Sequence, residues 1–353
     1  MVLQNPRAVV DRPFPCQKTF PHPCSTSVEN PPTPVDNLLC YNCDMEIPLQ
    51  QTKKWQKLQS ELGEKTIFEE NNDYTFMAIE KQTKFGSYLY LPYGPYATTK
   101  NAAKAAYKAL ESLARSKNIT FIRIEPQSAN TAEFWLNLPN CQKSRNLSPE
   151  ETWVLDLSPE MDQIYANMKQ NTRNLCKNYA KKGISIKISE NKARDIKILA
   201  DFHKIIARKH KIGAFSEKYL KTEAVQPFST LYIAYFEKKP IAASLFFDHD
   251  DTRFYMQSAS DKDYHKLPAT YAILNEAIKD AKEKGLKKFD FWGIAPENAP
   301  KNHPWAGFTN FKKSFGGEEV KYVGTYDLIM KPVQYKFYKI ARRGNRFLRK
   351  LKK

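Results

Sequence analysis

Long apolar segments are absent from this sequence. None of its 353 residues belong to an apolar run near the ~18 residues that a membrane-spanning helix requires. The first residues include prolines and polar side chains, without the short apolar core of a secretory signal. We therefore expect a cytoplasmic protein, which would meet any lipid-linked substrate at the inner membrane surface.

Common motifs for nucleotide and metal chemistry are also missing. Neither G-x-x-x-x-G-K-[ST] nor G-x-G-x-x-G occurs, so nothing supports ATP or NAD chemistry. No H-E-x-x-H motif occurs, and the region with periodic apolar residues contains no paired cysteines. We expect no metal and no cofactor there.

Cysteine is rare outside the first fifty residues, where only the isolated Cys141 and Cys176 occur. Neither needs a catalytic role. The other four are Cys16, Cys24, Cys40 and Cys43. The last two form a C-x-x-C pair, but the first two are too far apart for a zinc knuckle. A proline-rich, largely disordered extension over 1–50 is the favoured interpretation, and a zinc site is the alternative.

Acidic residues are outnumbered. The chain has 56 Lys and Arg against 38 Asp and Glu, a net charge of +18. Such an excess favours polyanionic partners, namely nucleic acid, anionic lipid or phosphorylated metabolites. A basic surface that only aids solubility is the alternative.

The C-terminal segment concentrates this charge. Residues 331–353 contain ten Lys or Arg and no Asp or Glu, which is +10 of the net +18. Val333, Phe337, Ile340, Phe347 and Leu351 recur at near-heptad spacing, which predicts a helix with one apolar face. That face either packs on the first domain or makes a peripheral contact with the anionic inner membrane surface.

One pattern of predicted elements occurs twice. The first copy has strands over 73–79 and 86–92, a helix over 100–117 and a strand over 119–125. The second has strands over 231–236, 241–248 and 253–258, a helix over 269–284 and a strand over 288–293. This repeat predicts a duplicated α/β (α+β) unit of the acetyltransferase-like (GNAT) type. Two further helices are predicted over 160–182 and 195–211, where apolar residues recur at helical spacing.

The predicted domains follow from the repeat. A first GNAT-like domain would comprise 51–155 with the returning segment 318–353, and a second would comprise 156–317. In an acetyl-CoA enzyme, a glycine-rich turn would open the helix of the second copy. The corresponding stretch, 258–270, contains no glycine, which favours a different acyl donor.

Two regions carry candidate binding groups. Lys169, Arg173, Lys177 and Lys181 recur every four residues, so one predicted helix would carry a basic ridge suited to phosphates. A solvated helix face is the alternative. The segment 291–317 follows a strand end and mixes aromatic residues, glycines and lysines, which suits a substrate site. A rigid loop that closes the sheet is the alternative.

Four stretches in this order resemble the FemABX family of peptidoglycan-bridge aminoacyltransferases. They are LPYGP at 91–95, LDLS at 155–158 with MKQNTR at 168–173, DFWG at 290–293, and FKKSFG at 311–316 with Gly307 before it and VGTYDL at 323–328 after it. The resemblance spans about residues 50–330. Two features depart from the family, namely the N-terminal extension and the lack of room for the long two-helix arm that some members insert.

The resemblance implies two GNAT-like domains in a monomer that uses aminoacyl-tRNA as co-substrate and no other cofactor. The acceptor would be UDP-MurNAc-pentapeptide or lipid II. Phe311 and Lys312 match the pair that the family places at the reacting ester. Arg208 resembles a phosphate ligand and Tyr255 an acceptor contact. Lys57 is a looser match to a phosphate ligand.

The implied chemistry suits these residue types. An aminoacyl ester is already activated, so the acceptor amine needs only to lose a proton while the tetrahedral oxyanion is stabilised. Lys312 would stabilise the oxyanion, and Glu125 is the candidate acid–base group. The basic ridge, with Arg173 and Lys177, would bind substrate phosphates.

Two other functions stay open from the sequence. A CoA-dependent N-acyltransferase of the same fold is disfavoured by the glycine-free stretch 258–270. A nucleic-acid-binding protein without catalysis would suit the net charge, but it would not need the FKKSFG constellation.

Overall fold

The computed structural model describes residues 46–210, 213–300, 303 and 305–351. The extension predicted over 1–50, with its four cysteines and the alternative zinc site, lies almost entirely outside the described residues. The described chain forms two compact units. We call the unit of 46–53, Lys65–Leu147 and 322–351 the N-terminal unit, and that of Lys54–Glu64 and Ser148–Lys321 the central unit.

The N-terminal unit is built on one seven-stranded sheet. Its strands are β1 (Lys65–Glu70), β2 (Tyr74–Thr83), β3 (Gly86–Leu91), β4 (Tyr96–Ala97), β5 (Phe121–Ile124), β6 (Cys141–Lys143) and β14 (Tyr326–Ile329). The order is β1-β2-β3-β5-β14-β6, and β4 pairs with β2. β3 and β5 run parallel, whereas every other pair is antiparallel. The C-terminal segment therefore supplies β14 to the interior of this sheet.

The helices of this unit are α2 (Lys100–Ser116), α3 (Ala129–Leu136) and α10 (Pro332–Leu351). Thr99 caps α2 by accepting a hydrogen bond from the backbone N–H of Ala102. Small residues of α2, such as Ala103 and Ala106, are fully buried against the sheet, so helix and strands pack closely.

The central unit contains the second seven-stranded sheet. Its strands are β7 (Glu151–Asp156), β8 (Ile184–Ile188), β9 (Ser229–Phe236), β10 (Lys239–His249), β11 (Thr252–Ser260), β12 (Lys288–Gly293) and β13 (Glu318–Lys321). The order is β13-β7-β12-β11-β10-β9-β8. Again one pair, β11 with β12, is parallel and the others are antiparallel. The mixed α/β class and the duplicated plan are confirmed.

The helices of the central unit are α1 (Lys53–Glu61, nearly all of it in this unit), α4 (Met161–Asn167), α5 (Gln170–Asn178), α6 (Lys192–His210), α7 (Glu217–Ala224), α8 (Ala269–Glu283) and α9 (Ala306–Lys313). Ile273 and Ala277 of α8 pack with Phe246 and Phe289 of the sheet in the largest core cluster. Burying an isoleucine or phenylalanine side chain contributes ~1.5–3 kcal/mol to the stability of the fold.

The single helix predicted over 160–182 is wrong. Met168 is extended, with φ −72° and ψ 149°, and it separates α4 from α5. The backbone N–H of Lys169 donates to the Ser314 carbonyl at 2.9 Å instead of continuing the helix. Lys181 lies in a 3₁₀ turn, Ala180–Lys182, so the four cations do not share one helix.

The unit boundaries differ from the predicted domain limits of 155/156 and 317/318. The central unit begins at Ser148 because β7 pairs with β12 and β13 in its sheet. It ends at Lys321, the last residue of β13. Most of helix α1 also groups with the central unit, although its sequence precedes the N-terminal sheet.

Candidate functional site

A cavity lies in the central unit where its parallel strand pair separates. β11 and β12 are paired only from Thr252 with Lys288 to Phe254 with Asp290. The rest of β11, from Tyr255 to Ser260, lines a cavity of about 320 Å³ together with the start of α8 and one face of α9. The glycine-free stretch 258–270 supplies much of the remaining wall, including Tyr264, His265 and Thr270. This is an ordinary size for a small-molecule site.

The backbone of β12 makes an irregular turn at this point, before Gly293 pairs with Thr152 of β7. The register between β12 and β7 shifts between Asp290 and Gly293, and Trp292 has a positive φ of 66°. The Asp290 carboxylate accepts a hydrogen bond from the Trp292 N–H at 2.6 Å, which stabilises this unusual conformation. Gly293 permits the close approach of Pro149, since a Cβ there would lie 2.5 Å from its ring.

Lys312 is anchored to this turn. Its ammonium donates to the carbonyls of Gly293 at 2.6 Å and of Trp292 at 3.2 Å. The side chain is buried at 2% exposure, although it lines the cavity. Burial lowers the pKa of Lys312 to about 7, and the nearby charge of Asp290 opposes this shift. An ammonium has three donors, and two of them are bound to these carbonyls.

Asp290 is a second buried charged group close enough to Lys312 to affect its pKa. Burial raises the pKa of Asp290 to about 6, whereas the Trp292 N–H and the charge of Lys312 act in the opposite direction. Two groups with perturbed pKa values beside a cavity are typical of a reactive site, because a pKa near neutrality permits a change of protonation state. Asp290 belongs to the DFWG stretch, but the sequence alone predicts no role for it.

The other predicted site residues that line the cavity, Phe311 and Tyr255, are aromatic. Phe311 packs edge-on against Tyr271 at 5.0 Å and Phe315 at 5.4 Å. Tyr255 stacks on Phe246 at 5.3 Å, and burial raises its pKa to about 12, so its hydroxyl stays protonated. The structure thus brings Tyr255, Phe311 and Lys312 to one cavity. The segment 306–313 of the predicted loop is the helix α9.

A second buried acid, Glu223, contacts a residue of the cavity lining, and the sequence alone did not predict it. Gln257 lines the cavity and donates to the Glu223 carboxyl group at 3.3 Å. Burial raises the pKa of Glu223 to about 8, so this group is mostly protonated at pH 7. A glutamate on the apolar side of a short helix gives no sequence signal, because its partner comes from a distant strand.

The predicted phosphate ligands do not line this cavity. Arg208 is exposed near the end of α6, and Lys57 is exposed on α1 beside Glu61 at 4.0 Å. Arg173 donates to the carbonyls of Tyr165 and Ala166 at 3.4 Å, which holds it across the break between α4 and α5. Their roles in binding stay predictions.

Lys177 also makes local contacts. Its ammonium lies 4.4 Å from the centroid of the Tyr165 ring and 3.9 Å from the Asp162 carboxylate. It is exposed, so these contacts leave it accessible to an anion. Its predicted role in substrate binding likewise stays a prediction.

Glu125 lies in the N-terminal unit. It is buried, and its carboxylate accepts hydrogen bonds from the Tyr90 hydroxyl at 3.0 Å and the Thr325 hydroxyl at 2.8 Å. The backbone N–H groups of Tyr93 and Leu147 donate to it as well. These donors come from β3 and the turn after it, from the segment after β6 and from the segment before β14, so the observed contacts explain Glu125 structurally. The catalytic role is untested.

Two features are absent from the described residues. No group of three His, Cys, Asp or Glu side chains is placed to hold a metal ion in the part of the chain that the structure describes. Within the same residues, no helix is both long and apolar enough to cross a bilayer.

Comparisons with known proteins relate part of the chain to the FemAB family. Residues 209–343 match the model of the FemAB family. Aminoacyltransferase FemA of Staphylococcus epidermidis is 29% identical over 114 residues, which is 32% of this chain and 25% of that protein. The aligned part therefore spans a quarter of the length of this curated relative.

Solved structures extend the likeness to most of the fold. The crystal structure of FemX aligns with a TM-score of 0.73 at 14% identity, over 82% of this chain and 94% of that chain. L-PGS from Bacillus licheniformis aligns with a TM-score of 0.52 at 10% identity, over 85% and 98%. These likenesses show the fold, while the family match over 209–343 and the relative named FemA confirm the resemblance to the FemABX family.

Proposed function

We propose that this protein is an aminoacyltransferase that moves an amino acid from aminoacyl-tRNA to the stem peptide of a peptidoglycan precursor, UDP-MurNAc-pentapeptide or lipid II. The observation that carries the proposal is the buried Lys312, which lies beside Phe311 and Tyr255 in the cavity of the central unit. The match to the FemAB family and to a protein named aminoacyltransferase supports the reaction class. The donor, the acceptor and a monomeric state are parts of the proposal.

The reaction requires a C–N bond to form and an ester C–O bond to break. The neutral acceptor amine attacks the ester carbonyl, and the tetrahedral intermediate places negative charge on the former carbonyl oxygen. We assign the third donor of Lys312 to this oxygen, because the other two hold the ammonium against Gly293 and Trp292. Collapse expels the ribose oxygen of the tRNA, which takes up a proton as the amine loses one.

The cavity suits the reacting ends of two large substrates. About 320 Å³ can enclose an aminoacyl group and an amine, whereas a tRNA or a whole precursor must extend beyond it. Burial of Lys312 and Asp290 also strengthens the electrostatic interactions that the reaction uses, since water screens them weakly there. Contact with an anionic membrane surface is a separate proposal that rests on helix α10.

The test is a reconstituted transfer reaction. The full-length chain would be incubated with total charged tRNA and with UDP-MurNAc-pentapeptide or lipid II, and the products would be weighed by mass spectrometry. We expect one acceptor to gain the mass of an amino acid residue, and we expect RNase treatment of the donor to abolish the gain. Acetyl-CoA serves as the alternative donor. Transfer from acetyl-CoA with none from charged tRNA would contradict the proposal and favour the CoA-dependent enzyme.

A further inference from the structure

Helix α10 presents two different sides. On one side, Tyr335 is buried, its hydroxyl donates to Asp327 at 2.8 Å, and Tyr338 packs on Phe121 with ring centroids 4.9 Å apart. This side fixes the helix to the sheet of the N-terminal unit. The helix is therefore anchored by the same β14 segment that completes that sheet.

The other side of α10 is apolar and exposed. Val333, Phe337 and Ile340 are 63%, 54% and 64% exposed. Steps of four and three residues place them in one stripe along the helix. We call these three residues the α10 face. Half of the six large apolar side chains identified as exposed in the described residues belong to this stripe, and such clustering marks an interaction surface.

Positive charge surrounds the α10 face. Lys336, next to Phe337, and Arg343, about one turn after Ile340, are exposed. Residues 331–353 contain no Asp or Glu. Phe85, from the turn between β2 and β3, stacks on Phe337 at 6.3 Å, and the neighbouring Lys84 is exposed. The apolar and basic surface thus continues from the helix onto an adjoining turn of the same unit.

We propose that the α10 face is a docking surface for an anionic lipid bilayer, on which α10 lies in the plane of the interface. An apolar stripe flanked by Lys and Arg is the composition of interfacial helices: the stripe enters the acyl boundary while the cations meet lipid phosphates. The inference does not depend on the proposed reaction.

Two other occupants fit the surface less well. A second copy of this chain would bring two strongly cationic segments together, and their repulsion opposes a symmetric contact. A nucleic acid would satisfy the cations but would leave the three apolar side chains without a partner, since its backbone is charged. A bilayer satisfies both features at once.

The test measures partition of the full-length chain onto vesicles of one part phosphatidylglycerol to two parts phosphatidylcholine, and onto phosphatidylcholine alone. The face variant is Val333→Ser, Phe337→Ser and Ile340→Ser together. Its matched control is Ile188→Ser, Ile205→Ser and Val225→Ser, three exposed apolar residues of the central unit. A charge variant combines Lys336→Glu with Arg343→Glu.

We expect the wild type and the control to bind the anionic vesicles equally and in a salt-sensitive way. The face variant and the charge variant should each bind about tenfold more weakly or worse. All substituted side chains are exposed, so far-UV circular dichroism and the melting temperature should match those of the wild type, which separates lost binding from misfolding.

Three results would overturn the proposal. The first is equal vesicle binding by the face variant and its control, and the second is binding that ignores phosphatidylglycerol. The third is a face variant that loses charged-tRNA binding or self-association in sedimentation while its vesicle binding is unchanged. Because vesicle partition needs no substrate, failure of the transfer assay leaves this result unaffected.

Discussion

Each unit has one parallel strand pair in an otherwise antiparallel sheet, but the two units differ where that pair ends. In the N-terminal unit the segments that follow β3 and β5 stay hydrogen-bonded, because the Glu125 N–H donates to the Gly94 carbonyl at 2.8 Å. The Glu125 carboxylate also accepts hydrogen bonds from the Tyr90 and Thr325 hydroxyls. In the central unit β11 and β12 diverge after Phe254 and Asp290, and the cavity lies beside the gap. In the N-terminal unit, polar groups of the unit itself fill the end of the strand pair. In the central unit, the buried Lys312 lines a cavity there.

The supporting polar groups show the same contrast. The Gln51 side chain bridges the backbone of Met77 and Pro92, with its Nε2 atom donating to the Pro92 carbonyl at 2.6 Å. Its donors and acceptor are thus used inside the N-terminal unit. The Lys312 ammonium, by contrast, uses two of its three donors for the carbonyls of Trp292 and Gly293. If the proposed function is correct, the N-terminal unit uses these polar groups for stability and the central unit uses Lys312 for chemistry.

The largest effect is expected from breaking the buried ion pair of the N-terminal unit. Arg123 and Asp327 are each 1% exposed, and the Arg123 Nε atom donates at 2.7 Å. Asp327→Ala would leave the buried guanidinium without its carboxylate, so the free energy of unfolding should fall by about 3–5 kcal/mol. Urea denaturation followed by circular dichroism measures this loss.

The matched control lies in the central unit. Arg253 is paired with both Asp248 at 2.7 Å and Asp280 at 2.6 Å. Asp248→Ala should therefore cost clearly less than Asp327→Ala, since Asp280 remains. Equal losses from the two variants would show that the number of carboxylate partners does not decide the cost.

Lys312→Ala should lower activity, and it should also cost some stability because the buried Lys312 holds the carbonyls of Gly293 and Trp292. If its ammonium meets the developing oxyanion, turnover should fall by about 10²–10³-fold with little change in acceptor binding. Lys313→Ala is the control, because the neighbouring Lys313 only lies over the Trp153 ring at 4.9 Å. Single-turnover transfer rates measure the effect. Unchanged turnover with weakened acceptor binding would assign Lys312 to binding instead.

The regular elements could be predicted because their side chains alternate or recur with the helical period. The strands predicted over 86–92 and 288–293 and the helix over 269–284 lie within two residues of the observed bounds. The edge strand β1 was missed because its sequence, KTIFEE, shows no apolar alternation. The edge strand β8 was missed although Ile184, Ile186 and Ile188 alternate with polar residues. The break at Met168 depends on the distant Ser314 carbonyl, which no local pattern encodes.

The site was predictable only in part for a similar reason. Lys312, Phe311 and Tyr255 were found through the resemblance to a family, and the structure places them at one cavity. The position of Asp290 depends on the positive φ of Trp292, and the environment of Glu223 depends on a strand over thirty residues away. Such long-range arrangements become visible only in the folded chain.

A moderate effect is expected for Glu125→Gln. The amide would present N–H groups where the Thr325 and Tyr90 hydroxyls now donate, so about 1–3 kcal/mol of stability should be lost. Turnover per folded molecule should stay within a few-fold of the wild type if the role of Glu125 is structural. A deep loss of turnover at unchanged melting temperature would support the catalytic role that the sequence suggested.

The smallest effect, and the most diagnostic of the cavity, is a shift in pH dependence. Burial lowers the pKa of Lys312 to about 7, and the negative charge of Asp290 raises it. Asp290→Asn removes that charge but keeps an oxygen for the Trp292 N–H, so the turn should persist. The pKa of Lys312 should then fall, by about one unit for the loss of one nearby charge.

The sign of the change identifies the active form of Lys312. If the ammonium is required, activity is lost as the pH rises through the pKa of Lys312, so the descending limb of kcat/KM should move to lower pH in Asp290→Asn. If the neutral amine is required, an ascending limb should move to lower pH, and activity near pH 6 should increase. Asp73→Asn, in an exposed turn of the N-terminal unit, is the control and should leave the profile unchanged. If the pH profiles of the wild type and Asp290→Asn are the same, the charge of Asp290 does not affect the reacting group. The two units would then differ only in shape at the ends of their parallel strand pairs.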